Sequence, residues 1–156
     1  MFEKMRLQNQ QMTEEEAVKA MQEGKSGVLA SISANGYPYA LPINYVYDDG
    51  KIYIHSAKKG HKIRNFENCD KVSLCVVNED IVLQEEVTTK FKSVIAFGKI
   101  SEVTDDAGKH KAFEMMVYKY CPDFIEGGMK YIDKSIAGAR VFVIDVENMT
   151  GKRSQE

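Results

Sequence analysis

The sequence predicts a mainly β fold, a small antiparallel barrel with helices at its margins. Three segments between residues 28 and 56 have the alternation of side chains that is typical of strands. Two turn signals separate them, Asn35-Gly36 and Asp48-Asp49-Gly50. Helical patterns are few and lie around the strand segments, so about six strands joined mainly by hairpins are expected to form the core of the protein.

Composition limits the classes of function. The 156 residues fit one domain, 1–156, and 44% hydrophobic with 28% charged residues is typical of a soluble globular protein. The formal net charge of −2 gives no reason to expect binding to nucleic acid or to an acidic membrane. The sequence has no apolar run near the roughly 20 residues of a membrane span. The N-terminus lacks the apolar region of a signal peptide, so a cytoplasmic location is expected.

The first elements are a helix and a strand. Thr13 followed by Glu16 is a capping-box pattern, which predicts a helix that ends at Gly24. Its expected buried residues are Ala17, Val18 and Met21. Residues 28–33 then alternate as a strand, and Asn35-Gly36 predicts a hairpin to the next one.

The segment from Tyr37 to Tyr47 is predicted as one long strand. Both of its faces are fairly apolar, and Pro42 lies inside it. A strand covered on both sides suits a barrel wall, with an edge or a bulge at the proline. The turn at 48–50 leads into strand 51–56, which places Ile52 and Ile54 opposite Tyr53 and His55.

The rest of the chain continues the same mixture of strands and helices. Strands are predicted at 72–77, 91–103 and 139–147, whereas 79–90 is a poorly specified strand or loop. A short helix is expected at 60–67, with Ile63 and Phe66 packed inward. Asp105 and Asp106 open a longer helix that ends at Cys121-Pro122, and one short helix is expected near 129–134. The buried face of the longer helix is expected to contain Phe113, Met116, Val117 and Tyr120.

Residues 55–62 concentrate groups that bind anions. Ser56, His61 and Lys62 lie around Gly60, where the absence of a side chain lets the backbone approach a ligand. The start of the 60–67 helix would also favour an anion. The segment therefore predicts a site for a phosphate monoester. The alternative is a solvated surface turn rich in lysine.

Other sites are excluded or unsupported by the sequence. Gly24-Lys25-Ser26 resembles the end of a P-loop, but the first glycine of that motif is replaced by Lys19, and no dinucleotide-binding glycine fingerprint occurs. The three histidines lack metal-ligand spacing, so no metal is expected. The three cysteines are expected to be buried reduced thiols.

Several blocks together resemble a known family. They are GVLAS (27–31), GYPYALPINYVYDDGKIYIHSAKKGHKI (36–63), TKFKSVIAFGKISEV (89–103) and IDVENMTGK (144–152), with Arg6 and Met12-Thr13-Glu14-Glu15 before them. The order resembles the pyridoxamine-phosphate-oxidase-like split-barrel flavoproteins, in the branch related to nitroimidazole-resistance reductases. The resemblance spans nearly the whole chain, and its middle block is the most specific part.

The resemblance implies a six-stranded antiparallel FMN-binding split barrel that forms a homodimer, with one FMN in each of two interface clefts. The flavin ring would lie along the backbone of Leu41, Pro42, Ile43 and Asn44. The ribityl chain and phosphate would be held by the strand end and loop, namely His55, Ser56, Ala57, Gly60, His61 and Lys62. The family's tyrosine-arginine-serine-valine segment is here Phe91-Lys92-Ser93-Val94. Ser93 can still donate to the cofactor, whereas the lysine at position 92 removes a two-pronged donor.

The resemblance also implies a function. His55 aligns with a histidine near the flavin face, where it would guide substrate or donate a proton; the alternative is a barrel histidine bonded to a neighbour. The expected activity is reduction of a small electron-poor acceptor, such as a nitroaromatic compound, with electrons from NAD(P)H or another donor. Three alternatives remain: a flavin-binding protein without catalysis, a pyridoxamine-phosphate oxidase and a haem-degrading relative of the same fold.

Overall fold

The computed structural model describes residues 1–155. Its helices are α1 (Glu14–Glu23), α2 (His61–Asn68), α3 (Asp106–Tyr120) and α4 (Ile125–Ser135), with short 3₁₀ turns at Gln8–Gln10 and Ile136–Gly138. Its strands are β1 (Gly27–Ile32), β2 (Pro38–Ile43), β3 (Val46–Asp48), β4 (Lys51–Ser56), β5 (Lys71–Leu83), β6 (Thr88–Val103) and β7 (Arg140–Arg153). Within these residues, no helix is both long and apolar enough to cross a membrane.

The strands form one antiparallel sheet in the order β2-β1-β5-β6-β7-β4-β3. Its two edge strands, β2 and β3, follow each other in sequence. Three residue steps separate Ile43 from Val46, and an extended chain of that length spans about 10 Å. The sheet must therefore curl until its edges approach each other, and the curled sheet stays open between β2 and β3.

Two apolar clusters lie on opposite faces of this sheet. The larger cluster fills the inside of the curl, where residues of α1 and α2 pack on the inward side chains of the strands. Leu29, Ile54 and Leu74 are among its completely buried members. The smaller cluster lies outside the curl, where α3 and α4 cover Val46 and Val141. Together α3 and α4 shield only part of the outer face of the sheet.

The predicted fold class is confirmed: the protein is mainly β and antiparallel, with flanking helices. Helix α1 begins with the predicted capping box, in which Thr13 accepts from the Glu16 N–H and the Glu16 side chain accepts from the Thr13 N–H. Its predicted end at Gly24 is also confirmed, although Val18 is only partly buried and Ala20 is buried instead. Pro42 lies on an edge strand, as a proline without an N–H requires.

The single strand predicted at 37–47 is wrong, because it divides into β2 and β3. At the break, the side chain of Tyr45 is fully buried in the inner cluster and its hydroxyl donates to Met21 O at 2.5 Å. Val46, the first residue of β3, packs in the outer cluster. The chain passes here from the β2 edge of the sheet to the β3 edge. This division accounts for seven strands among residues 1–155 where about six were expected.

The other boundary errors concern strands that are longer than predicted. Residues 79–83 belong to β5 and Thr88–Lys90 belong to β6, so the poorly specified segment 79–90 is the end of a long hairpin. Strand β7 continues to Arg153 beyond the predicted end at residue 147. Helix α4 begins at Ile125, four residues before its predicted start. Tyr120, predicted to be buried, is half-buried.

Candidate functional site

The loop between β4 and α2 contains several predicted site residues. Ser56 is buried at the end of β4, and its hydroxyl donates to Ala57 O at 2.8 Å. Helix α2 begins after Gly60, and within residues 1–155 no side chain caps its first turn. The first N–H groups of the helix, at His61 and Lys62, therefore face the loop without a side-chain acceptor.

His61 connects the start of α2 to the first hairpin. Its Nε2 lies 3.0 Å from Ser33 Oγ, and its ring centroid lies 4.0 Å from that of Tyr39. Tyr39 belongs to β2, so this contact fixes the loop beside the strand that contains Leu41–Ile43. The loop predicted to bind phosphate and the strand predicted to bind the flavin ring are thus neighbours in the structure.

The segment Leu41–Asn44 comprises the end of an edge strand, β2, and the residue that follows it. Within residues 1–155, β2 pairs only with β1, so every second residue directs its backbone groups away from the sheet. Leu41 and Ile43 are half-buried against the inner cluster, whereas Pro42 and Asn44 are exposed. Its free edge can therefore offer N–H and C=O groups to a flat polar ligand.

His55 lies on the other face of β4 from Ser56, because neighbouring residues of a strand point in opposite directions. Its ring is 5.6 Å from the ring of Phe113 on α3. Although His55 is exposed by surface area, the surrounding protein lowers its pKa by desolvation, and the positive charge of Lys62 lowers the pKa further. His55 is therefore neutral at pH 7, and Lys62 lies near enough to influence it.

An ion pair that the sequence did not reveal holds the same loop. Arg140 Nε and Nη2 donate to the two carboxylate oxygens of Glu102 at 2.8 and 2.9 Å, and Nη1 donates to Lys58 O at 3.1 Å. Residues 102 and 140 are far apart in sequence and come together only through the pairing of β6 with β7. No local sequence motif predicts this contact.

Ser93 is not close to the loop in the same chain. Ser93 pairs with Lys152 near one end of β7, whereas Ser56 pairs with Arg140 at the other end. The two positions are separated by about 40 Å of extended strand. Next to Ser93, Lys92 lies 4.0 Å from Glu79, so its ammonium is engaged in an ion-pair group rather than directed at the loop.

A cluster of Tyr45, Lys119 and Tyr120 lies behind the break between β2 and β3. Tyr120 belongs to the predicted core face of α3, but sequence periodicity gave no role to its hydroxyl or to Lys119. Both side chains bond the backbone of Tyr45. This cluster therefore fixes the chain that leaves Leu41–Asn44.

Metal and thiol chemistry receive little support from the side chains. Within residues 1–155, no three His, Cys, Asp or Glu residues form a group that could hold a metal ion. Cys69 and Cys75 are half-buried, and Cys121 is exposed, all three as free thiols. The prediction that all three are buried is therefore wrong, most clearly for Cys121, which lies just after α3 ends.

Comparison with known proteins decides the family. Residues 13–153 match the family model for pyridoxamine 5'-phosphate oxidase. The chain belongs to this family. No curated protein sequence matches it. The predicted resemblance is thereby confirmed at the level of the family.

Solved structures share the fold of this pyridoxamine 5'-phosphate oxidase family member. One is described as a 5-nitroimidazole antibiotic resistance protein from Bacteroides thetaiotaomicron, with a TM-score of 0.81 and 20% identity over 91% of this chain and 85% of that chain. A FAD-binding protein from Mesorhizobium loti has a TM-score of 0.65 and 24% identity over 93% and 97%. The FAD- and haem-binding protein from Mycobacterium smegmatis has a TM-score of 0.76 and 16% identity over 94% and 74%. At these identities the likeness establishes the fold.

Proposed function

We propose that the protein is an FMN-dependent oxidoreductase that reduces a small electron-poor acceptor, such as a nitroaromatic compound, with electrons from a reduced nicotinamide. The observation that carries the proposal is the contact between His61 and Tyr39, which joins the anion-binding loop to the free edge of β2. The family and the flavin-binding relatives with the same fold support flavin as the ligand. The protein would supply position and electrostatics to the cofactor.

The donor set of the loop fits a phosphate monoester. The N–H groups of His61 and Lys62 lie in the first turn of α2, whose dipole favours an anion. Gly60 leaves space beside them, because a Cβ at that position would meet no atom of residues 1–155 within 4 Å. Lys62 adds a positive charge. Ser56 and Ala57 complete the loop as contacts for the ribityl chain.

The free edge of β2 fits the polar rim of a flavin ring. We assign this role to Leu41, Pro42, Ile43 and Asn44, a segment in which every second residue directs its backbone groups outward, where they can bond the ring. When bound, the flavin supplies the transfer of electrons from donor to acceptor. The side chains of Leu41 and Ile43 pack inward on the inner cluster and anchor this edge.

His55 is the candidate catalytic residue. A neutral imidazole can donate one ring proton to a bound acceptor and accept another from solvent. Desolvation by the surrounding protein and the charge of Lys62 lower the pKa of His55, which keeps the imidazole neutral at pH 7. Its exposed ring is accessible to a small molecule.

We propose a homodimer with sites made by two copies of the chain. Ser93 and Ser56 lie at opposite ends of β7, so a single FMN that touches both needs Ser93 from a second copy. Ser93 shares the outer face of the sheet with an exposed apolar patch, here called the outer apolar face, formed by Val28, Ile32, Val77, Ile95 and Phe97. Phe2 stacks on Phe97 and extends this surface. Such a surface is typical of a subunit interface.

The decisive experiment is the absorbance spectrum of the purified protein with and without added FMN. Flavin absorbance that stays with the protein, and oxidation of NADH or NADPH that depends on a nitroaromatic or quinone acceptor, would support the proposal. Bound flavin without turnover of any acceptor would instead identify a flavin-binding protein. Binding of haem in place of flavin would contradict the proposal in favour of the haem-binding relatives.

The phosphate site has a matched pair of variants. Lys62→Ala is expected to weaken FMN more than riboflavin, which lacks the phosphate, whereas Lys59→Ala in the exposed part of the loop is expected to affect both little. Equal losses for FMN and riboflavin in Lys62→Ala would remove Lys62 from the phosphate site. Titration of each flavin by fluorescence quenching measures both constants.

A further inference from the structure

We propose that Tyr120 and Lys119, adjacent residues at the end of α3, are positioning residues that hold the backbone of Leu41–Asn44 in the orientation that binds the flavin ring. We call Tyr45, Lys119 and Tyr120 the Tyr45 clamp. The inference rests on the proposed function, since it assigns a flavin-related task to side chains that are remote from the loop. It extends that function by adding residues from a helix on the outer face.

The Tyr120 hydroxyl is the centre of the clamp. It accepts a hydrogen bond from Tyr45 N at 3.0 Å and lies 2.8 Å from Tyr45 O and 2.7 Å from Lys25 O. A phenol has one proton, so it donates fully to only one of these two carbonyls at a time. The other carbonyl needs a second donor.

Lys119 and Asn44 supply those second donors. Lys119 Nζ donates to Tyr45 O at 2.9 Å, and Asn44 Nδ2 donates to Lys25 O at 2.9 Å. Both carbonyls therefore keep a partner whichever one Tyr120 bonds. Because Asn44 and Tyr120 meet at one carbonyl, the clamp also fixes the side chain at the end of the ring-binding segment.

The charge of Lys119 adds a second kind of contact. Its ammonium lies 4.0 Å from the centroid of the Tyr45 ring and 5.1 Å from that of Tyr120. A cation over two aromatic faces is attracted by both rings. Burial lowers the pKa of Lys119 to about 8, so at pH 7 the Lys119 ammonium is charged in most molecules.

The position of the clamp explains why it would matter to a flavin. Residues 44 and 45 lie between the two edge strands, where strand pairing within residues 1–155 does not continue. Side chains from α3 therefore replace the missing sheet hydrogen bonds. Without them, the last residues of β2 would lose the support that directs their outward backbone groups.

The experiment compares Tyr120→Phe and Lys119→Met with Tyr118→Phe. Tyr118 is exposed on the same helix, so its variant controls for loss of a hydroxyl outside the clamp. Losing a hydrogen bond of ordinary strength is expected to weaken both FMN and riboflavin by about three- to tenfold, because the ring is shared by the two flavins. Lys119→Arg keeps the charge and is expected to restore most of the affinity lost in Lys119→Met.

Several readouts separate positioning from general stability. The visible absorption bands of bound flavin should shift in Tyr120→Phe and Lys119→Met but not in Tyr118→Phe, whereas a lower melting temperature with unchanged affinities and spectra would overturn the inference. A loss confined to FMN would also overturn it. If the wild-type protein binds no flavin, the proposed function fails together with the inference. If the wild-type protein binds flavin and Tyr120→Phe and Lys119→Met behave like Tyr118→Phe, only the inference fails.

Discussion

Arg140 and Glu102 form a two-point ion pair that also holds the loop of the candidate site. The guanidinium donates to both carboxylate oxygens, and its remaining nitrogen donates to Lys58 O. The same contact lowers the pKa of Glu102 and raises that of Arg140. One planar side chain therefore connects β6, β7 and the loop after β4, which a point charge cannot do with the same geometry.

The first prediction concerns Arg140→Lys. The ammonium keeps the charge but cannot bond both oxygens of Glu102 and Lys58 O in one plane, so the loop is expected to become more mobile. FMN affinity should fall about two- to fivefold, the range of a surface ion pair, with a smaller effect on riboflavin. Isothermal titration calorimetry measures both affinities. Arg6→Lys, in the N-terminal segment, is the control, and an equal loss in the two variants would contradict the role of Arg140.

The second prediction concerns the charge felt by His55. Lys62 is the second cause of the lowered pKa of His55, after burial. Lys62→Ala should therefore raise the pKa of His55 towards its ordinary value, without reaching it because desolvation persists. Titration of the imidazole by NMR measures the shift. Lys59→Ala should leave the pKa unchanged, and the same midpoint in wild type and Lys62→Ala would show that the two side chains do not interact.

The third prediction is a pH dependence of stability, which follows from the lowered pKa of His55. As the pH falls below 6.5, the unfolded chain binds a proton at His55 before the folded chain does. Protonation therefore stabilises the unfolded state relative to the folded state. The free energy of unfolding is therefore highest, as far as His55 is concerned, above pH 6.5. It declines as the pH falls from 6.5 towards the lower pKa of His55 in the folded protein. His55→Gln should remove that part of the decline, as melting temperatures between pH 7 and pH 5 would reveal.

The sequence predicted the elements whose signals are local. The capping box at Thr13 and the hairpin at Asn35-Gly36 use side-chain and backbone contacts within a few residues, and both occur in the structure. The break at Tyr45 could not be predicted in this way. Its cause is the burial of one side chain and the bonds from α3, which is 75 residues away in sequence.

The candidate site shows the same division. The group Gly60, His61 and Lys62 was apparent because its donors are consecutive, and α2 begins there as expected. The contacts of His61 with Ser33 and Tyr39 depend on the packing of α2 against the first hairpin. Periodicity carries no information on such contacts between distant segments.

The fourth prediction concerns the space occupied by Tyr45. A Cβ at Gly24 would overlap the Tyr45 hydroxyl and Val76 Cγ1, so both side chains would have to move. Gly24→Ala should lower the free energy of unfolding by about 1–3 kcal/mol, the usual cost of overpacking a core. Gly127→Ala is the control, since its Cβ meets no atom of residues 1–155 within 4 Å and alanine favours the helix. Urea denaturation measures both, and equal stability of the two variants would contradict the tight contact at Gly24.

The fifth prediction tests the outer apolar face as a homodimer interface. Ile95 is 40% exposed on β6, and it pairs with Cys75 on one side and Thr150 on the other, at the centre of the sheet. Ile95→Lys would place a charge on the outer apolar face, and this charge must be desolvated when two copies associate. Burying an unpaired charge costs far more free energy of association than the loss of a methyl group from the same interface. We expect a monomer by light scattering after size-exclusion chromatography. If each flavin site needs Ser93 from a second copy, the same variant should also lose most of its FMN.

The control for this variant is Ser101→Lys, an exposed position further along the same strand. It adds the same charge to β6 outside the outer apolar face, so it should remain a dimer and keep its flavin. A monomeric wild-type protein that binds FMN would contradict the two-copy site, because Ser93 and Ser56 of one chain lie at opposite ends of β7. If the Ile95→Lys variant is still a dimer with full FMN content, the interface lies on another surface of the protein.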